Sequence, residues 1–189
     1  MELRTLTVSL LAAAGTAFAD GSDLQLVPKS STYKVDGVEF PQVAFQDGSK
    51  LVTYCPPKGW TYSGSANVLK LRPDKTNAEA TISRLPGKGI GDLDEKTRKT
   101  LLDQAVADLP GGSTNVQIVS AQTNPLLIDR KDTFMIVFDF LLSNQGFKRS
   151  IILLNRGPDL IRFQLTCGRA DFDALQKAFF VSHFSWQNL

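Results

Sequence analysis

The chain has 189 residues, with 21 lysines and arginines, 19 aspartates and glutamates and one histidine, for a formal net charge of +2. So small a positive charge gives no ground for nucleic acid or an anionic membrane surface as a partner. Hydrophobic residues make up 42% of the chain, as in an ordinary globular protein.

Residues 1–19 predict a secretory signal peptide. Arg4 and the amino terminus supply positive charge, residues 6–15 are apolar, and Ala17-Phe18-Ala19 fits the cleavage pattern. The apolar run is too short to cross a bilayer, which takes roughly 20 residues. No cysteine follows it for lipid attachment. We therefore expect cleavage near Ala19 and a mature chain, without a transmembrane segment, in the periplasm or outside the cell. The alternative is a mobile or core-packed N-terminal helix.

The rest of the chain predicts a polar, flexible N-terminus at residues 20–30 and a single α+β domain at residues 31–189. Two Asp-Gly pairs, Asp36-Gly37 and Asp47-Gly48, predict tight turns between strands. Alternating apolar residues predict an antiparallel pair at 66–71 and 78–85. A helix follows, with Asp92 as its N-cap and Pro110 just after its end.

The second half predicts strands at 116–121, 134–142, 147–154 and 160–166, then a helix at 170–180. The run Ile151–Leu154 does not alternate, which is typical of a central strand covered on both faces. Phe184 and Trp186 are expected to close over the core. The predicted fold is a central, mostly antiparallel sheet of about six or more strands with helices packed on its faces.

The two cysteines, Cys55 and Cys167, are a candidate disulfide. An oxidising compartment favours their pairing, and the alternative is two free thiols, because the sequence does not give their separation. We expect no metal site, since His183 is the only histidine and no Cys-x-x-Cys occurs.

Other candidate sites have an ordinary explanation. The glycine-rich segment 86–92 fails both nucleotide-binding patterns and is interpreted as a connector, so no cofactor is expected. His183 lies in an aromatic tail and no Gly-x-Ser-x-Gly occurs, so we expect no catalytic site. Four basic residues flank strands and form a possible anion-binding rim if they converge, and otherwise a solvated surface: Arg130, Lys131, Lys148 and Arg149.

One segment resembles the strand followed by Pro-x-Gly-Trp in PsbP-like exported proteins: Cys55-Pro56-Pro57-Lys58-Gly59-Trp60. The end of the chain is also similar, with a strand at 160–166, a helix at 172–180 and an aromatic close at 182–186. The resemblance covers roughly residues 45–186 by element order. The family includes the extrinsic photosystem II protein and bacterial envelope proteins similar to DcrB. The chain departs from it in lacking a lipid-attachment cysteine and in having two cysteines.

The resemblance implies an α/β/α sandwich and a non-catalytic accessory or binding role, but it transfers no binding residue. We therefore expect a monomeric, non-enzymatic exported protein that binds an unknown protein partner. The alternative is a carrier of a small apolar ligand or lipid, with a pocket lined by phenylalanines: Phe134, Phe138, Phe140, Phe147 and Phe163. A hydrolase with an unfamiliar arrangement is the third possibility.

Overall fold

The computed structural model describes residues 23–189, so the predicted signal peptide lies outside the described residues. This part of the chain forms eleven strands, two α-helices and a 3-10 turn at His183–Ser185. The strands are β1 (Leu24–Val35), β2 (Val38–Asp47), β3 (Lys50–Tyr54), β4 (Trp60–Gly64), β5 (Val68–Pro73), β6 (Glu79–Leu85), β7 (Thr114–Thr123), β8 (Thr133–Leu142), β9 (Gln145–Arg156), β10 (Asp159–Gly168) and β11 (Gln187–Asn188). The helices are α1 (Glu95–Ala107) and α2 (Phe172–Ser182).

The strands form two antiparallel sheets. One has seven strands in the order β4-β5-β6-β10-β9-β8-β7, and the other has four in the order β1-β2-β3-β11. The mostly antiparallel class predicted from the sequence is therefore confirmed. The fold is more dominated by β-sheet than the predicted single sheet with helices packed on its faces. Strands β4 and β11, which are five and two residues long, were not predicted.

Local turn chemistry sets the hairpins that the sequence predicts. Asp36 and Gly37 both have positive φ, 49° and 85°, as a tight two-residue turn requires. Strand β9 lies between β8 and β10, and its run Ile151–Leu154 is buried. The predictions of the first hairpin and of a central strand here are thus confirmed.

The seven-stranded sheet separates two apolar cores. Alternation along β8 places Phe134, Ile136, Phe138 and Phe140 in the core beneath α1, while Met135 and Val137 face the opposite core. That opposite core also contains buried side chains of the four-stranded sheet and of α2. One face of the large sheet is therefore covered by α1, and the other by α2 and the four-stranded sheet.

Two sequence expectations need correction. Residues 24–30 are not a flexible N-terminus but the first part of β1, because Leu24 and Leu26 are fully buried in the core. Helix α1 begins later than predicted: its N-cap is Asp94, whose Oδ1 accepts a 2.7 Å hydrogen bond from the Thr97 N–H. The hydrogen bond from the Thr97 backbone lowers the pKa of the Asp94 carboxyl. No helix among residues 23–189 is long and apolar enough to cross a membrane.

Candidate functional site

A two-stranded arm projects from the four-stranded sheet. Strand β3 pairs with β2 only over Val43–Asp47, so residues 38–42 of β2 pair with β1 alone. We call residues 29–42 the hairpin arm. Four of its apolar side chains are 39–55% exposed, namely Tyr33, Val35, Val38 and Phe40. The arm thus carries large apolar side chains outside the body of the fold.

The strand register puts those four side chains on one face of the arm. Tyr33 is opposite Phe40 and Val35 is opposite Val38, and directly opposed residues share a face. The rings of Tyr33 and Phe40 stack with centroids 5.2 Å apart. Lys34 and Glu39 pair on the other face, with Nζ and Oε1 3.5 Å apart. The arm is therefore amphipathic, and among the described strands none pairs with the β2 edge of the arm at residues 38–42.

Tyr33 links this face to an open cleft. One part of the cleft, of about 560 Å³, lies between residues 55–58 and the outer face of α2. A second part, of about 410 Å³, continues past Phe184 and Leu189. Ala174, Ala178 and Val181 line the helix wall at helical spacing, and the small alanines leave the groove open. We call these two parts together the cleft.

The wall opposite α2 is the segment that carries the family resemblance. Gly59 has a φ of 78°, which favours glycine, and the Trp60 N–H donates a 3.1 Å hydrogen bond to the Pro57 carbonyl. This turn brings the Trp60 ring onto Phe179 of α2, with centroids 5.9 Å apart and planes at 14°. Trp60 thereby fixes the proline wall against the helix wall.

Hydrogen bonds fasten the floor of the cleft. The Cys55 N–H donates to Ser185 Oγ at 2.8 Å, and Ser185 Oγ donates to the Ser182 carbonyl at 2.6 Å. The Tyr54 hydroxyl lies 2.7 Å from Ser182 Oγ, and burial raises the pKa of Tyr54 so that it stays neutral. The end of β3 is thus tied to the end of α2, which holds both walls in place.

Phe184 does not close over the core as expected. The 3-10 turn points His183 and Trp186 inward, where both are about 1% exposed, and leaves Phe184 58% exposed on the cleft. Trp186 alone fills the predicted position, with its ring against Phe45 and Phe163. The aromatic tail therefore supplies one core residue and one surface residue.

His183 is a core residue. Its ring lies 4.5 Å from the rings of both Phe163 and Phe179, and burial lowers its pKa to about 3. Neither ring nitrogen has a hydrogen-bond partner among the described residues. Within residues 23–189, no serine or acid is therefore hydrogen-bonded to this ring.

The four basic residues proposed as a rim do not converge. Arg149 is buried, and it donates to Thr166 Oγ1 at 2.8 Å and to the Asp108 carbonyl at 2.9 Å. Burial lowers the pKa of Arg149 to about 10, and its role here is to join β9 to the end of α1. Lys148 is its neighbour on the strand and points to the opposite face, where Nζ lies 5.3 Å from the Phe172 ring.

Arg130 and Lys131 lie in the loop before β8, far from the other pair. Thr133 is opposite Leu154 on β9, whereas Lys148 is six positions further along that strand. Six residues of strand span roughly 20 Å. The expected anion-binding rim is therefore wrong as a single site, because its members lie at separate places on the sheet.

The predicted disulfide is not formed. Cys55 and Cys167 are both free thiols, and they are not at bonding distance. Cys167 is the penultimate residue of β10 in the large sheet, whereas Cys55 follows β3 of the small sheet and lies in the floor of the cleft. The fold holds the two cysteines apart, which the sequence did not reveal.

The thiols should differ sharply in reactivity. Cys55 is partly exposed in the cleft, while burial raises the pKa of Cys167 to about 11. We expect iodoacetamide without reductant to add one group to the native protein and two after unfolding, as measured by intact mass. The Cys55→Ser variant should take up none in the native state. A chain that takes up none even when unfolded would show that the bridge exists.

The phenylalanines proposed to line a carrier pocket instead pack in the cores. Phe134, Phe138 and Phe140 are buried beneath α1 with Phe147 against them, while Phe163 lies in the other core. The large sheet separates the two groups. The glycine-rich segment acts as a connector: the Gly89 N–H donates to the Pro158 carbonyl at 2.8 Å. A Cβ at Gly89 would lie 2.0 Å from the Gly157 carbonyl oxygen, so a larger residue would not fit.

Sequence reasoning missed the cleft, although part of its signal was visible. The alternation around Asp36-Gly37 already places Tyr33 beside Phe40 and Val35 beside Val38. What the sequence does not show is that these four side chains stay partly exposed and that Tyr33 lies beside α2. Among residues 23–189 no group of three or more histidine, cysteine, aspartate or glutamate side chains could hold a metal ion.

Comparison with known proteins gives structural likenesses. No protein-family model matches the chain, and no curated protein matches it. Among solved structures it is similar to cyanobacterial PsbP (CyanoP) from Synechocystis sp. PCC 6803, with 15% identity, a TM-score of 0.48, and coverage of 94% of this chain and 98% of that one. It is also similar to PA94 of Pseudomonas aeruginosa, a protein of unknown function, with 14% identity, a TM-score of 0.47, and coverage of 82% and 94%. The resemblance to PsbP-like proteins that the sequence indicated is thus found again among solved structures. It is a resemblance of fold and does not establish function.

Proposed function

We propose that this protein is a non-enzymatic, exported accessory protein that binds another protein through the cleft and the apolar face of the hairpin arm. The observation that carries the proposal is the continuity of these two surfaces through Tyr33. Exposed aromatic residues that meet a groove are typical of the central, strongly binding part of a protein interface. Tyr33, Phe40 and Phe184 have this character here.

The arm favours a protein over a small ligand. A pocket for a small molecule encloses most of its ligand. The arm instead presents its apolar side chains on an open ribbon of two strands, and such a ribbon is only marginally stable by itself in water. A protein partner that covers this face would both remove apolar surface from water and brace the arm.

Export enters the proposal through residues 1–19 alone. For the finer architecture, α1 over one face of the large sheet and α2 over the other support a PsbP-like α/β/α sandwich. The four-stranded sheet lies on the α2 side of the large sheet, and its strands β1 and β2 supply the arm.

A carrier of a small apolar ligand or lipid is the second candidate. Its support is the part of the cleft between residues 55–58 and α2, whose volume of about 560 Å³ is within the size range of ligand pockets. The phenylalanine pocket first considered for it does not contribute, because those side chains pack in two separate cores.

Matched substitutions test the protein-binding proposal. Val181→Ser with Phe184→Ser removes two apolar side chains from the cleft, while Ile118→Ser with Val119→Ser does the same on β7, at the far edge of the large sheet. Val181 and Val119 are 57% and 55% exposed, so the two changes are closely comparable. Loss of two central apolar contacts should weaken partner binding by roughly tenfold or more. Tagged protein is used for affinity capture from an extract of its native cells, with mass spectrometry of proteins and lipids.

The expected result is one stoichiometric protein captured by the wild type and by the β7 variant, and depleted with the cleft variant. All three proteins should unfold at similar temperatures, because the substituted side chains are exposed. Equal capture by the cleft variant would contradict the proposed site. Recovery of a stoichiometric lipid without a protein would contradict protein binding and support the carrier.

A further inference from the structure

The charged side chains that line the cleft are all of one sign. Lys58 lies on the proline wall and Lys177 on the helix wall, between Ala174 and Ala178. No aspartate or glutamate is among the described residues that line either part of the cleft. An apolar groove with a lysine on each side is thus positively charged although the whole chain has a net charge of only +2.

Neither lysine forms an ion pair with the described part of the protein. Lys34 and Lys99 form ion pairs with Glu39 and Asp103, but no ion pair among the described residues involves Lys58 or Lys177. Asp173 lies one helical turn before Lys177, where an ion pair is geometrically accessible, yet the two are not paired. Both ammonium groups are therefore available to a bound partner.

We propose, building on the protein-binding function above, that the segment seated in the cleft is apolar and carries carboxylates, which meet Lys58 and Lys177 from its two sides. Complementary charge across an interface raises the rate of encounter, fixes the register of the bound segment and rejects partners of the wrong sign. Apolar contacts with Tyr33, Val181 and Phe184 supply the anchoring, and the lysines select acidic segments over basic ones.

Two fluorescent peptides test this directly. They share a central Leu-Phe-Val-Leu segment and differ only in two flanking glutamates or two flanking lysines at each end. Fluorescence anisotropy gives the dissociation constant of each peptide with the full-length protein. We expect the acidic peptide to bind at least roughly tenfold more tightly, with a difference that shrinks as salt is added.

Charge reversal links the preference to the two lysines. Lys58→Glu with Lys177→Glu should abolish or invert the preference for the acidic peptide. Lys70→Glu with Lys96→Glu changes the net charge equally, at one exposed strand residue and one exposed helix residue outside the cleft, and should leave the preference intact. Loss of preference in both double variants would assign it to net charge and overturn the proposal.

The remaining outcomes separate this inference from the function on which it rests. If both peptides bind equally and Val181→Ser with Phe184→Ser abolishes their binding, protein binding stands and the charge selection is wrong. If neither peptide binds, the acidic segment is wrong, while capture of a protein partner still decides the function. If vesicles of phosphatidylglycerol, but not of phosphatidylcholine, bind through Lys58 and Lys177 and the acidic peptide does not, the lysines contact a lipid surface and the proposal is overturned.

Discussion

Lowering the pH from 7 to 4 is expected to reduce the free energy of unfolding by about 3 kcal/mol through His183 alone. His183 is the only histidine of the chain, and it is about 1% exposed between the rings of Phe163 and Phe179. Burial lowers its pKa from 6.5 to about 3 in the folded state. The folded protein therefore keeps the imidazole neutral at a pH where the unfolded chain protonates it.

The sign of the effect follows from the lowered pKa. Above pH 6.5 His183 is neutral in both the folded and the unfolded state, so its titration does not reduce the free energy of unfolding. Between pH 6.5 and about 3 the unfolded state binds more protons, so stability falls as the pH falls. Each pH unit in this window costs roughly 1.4 kcal/mol. Denaturant unfolding at several pH values measures this slope.

His183→Leu is the matched variant, because it keeps an apolar group of similar size and removes the titrating one. Carboxylates also titrate at low pH. Subtracting the unfolding free energies of this variant from those of the wild type cancels their contribution, because it is common to both proteins. The difference should decline by about 3 kcal/mol from pH 7 to pH 4. A difference that does not vary with pH would show that His183 is accessible to protons in the folded protein.

Asp159→Ala should destabilise the fold by about 3 kcal/mol or more, since breaking a buried ion pair commonly costs 3–5 kcal/mol. Asp159 is the first residue of β10, and its Oδ2 accepts a 2.6 Å hydrogen bond from Arg84 Nε while its Oδ1 accepts the Gly87 N–H. Arg84 Nη1 also donates to the Leu24 carbonyl. One carboxylate thus holds the arginine that connects the two sheets and fastens the segment leading to α1.

Asp103→Ala is the control for this change. Asp103 pairs with Lys99 on the surface of α1, and such exposed pairs contribute roughly 0.5 kcal/mol. Urea unfolding should therefore separate the two alanine variants clearly. Replacing both partners, Asp159→Leu with Arg84→Met, should recover part of the loss, because no buried charge is left behind. Equal stabilities of Asp159→Ala and Asp103→Ala would contradict a supporting role for the buried pair.

The parts of the fold that sequence predicted are those set by short-range chemistry. Asp36-Gly37 specifies a turn, and the unbroken apolar run of β9 specifies burial on both faces. The division into two sheets was not visible, because Pro56-Pro57 ends a strand without showing that the next one joins another sheet. The pairing of Cys55 with Cys167, which was inferred from the compartment alone, failed because the sequence does not give the distance between the two residues in the fold.

The candidate site was hidden for the same reason. Its walls come from the arm, residues 55–58, α2 and the 3-10 turn, which are far apart in the sequence. Phe184 and Trp186 are two positions apart and equally aromatic, yet the 3-10 turn buries one and exposes the other. Hydrophobicity alone therefore could not identify which aromatic residue belongs to the surface.

Site-specific photo-crosslinking can show directly whether a protein occupies the cleft. A benzophenone amino acid replaces Phe184 in the cleft, Phe40 on the arm or, as control, Val119 on β7, and the protein is irradiated in its native cells. We expect one discrete protein adduct from positions 184 and 40, absent from position 119. An adduct from position 119 alone, or only lipid adducts from positions 184 and 40, would contradict a protein-binding cleft.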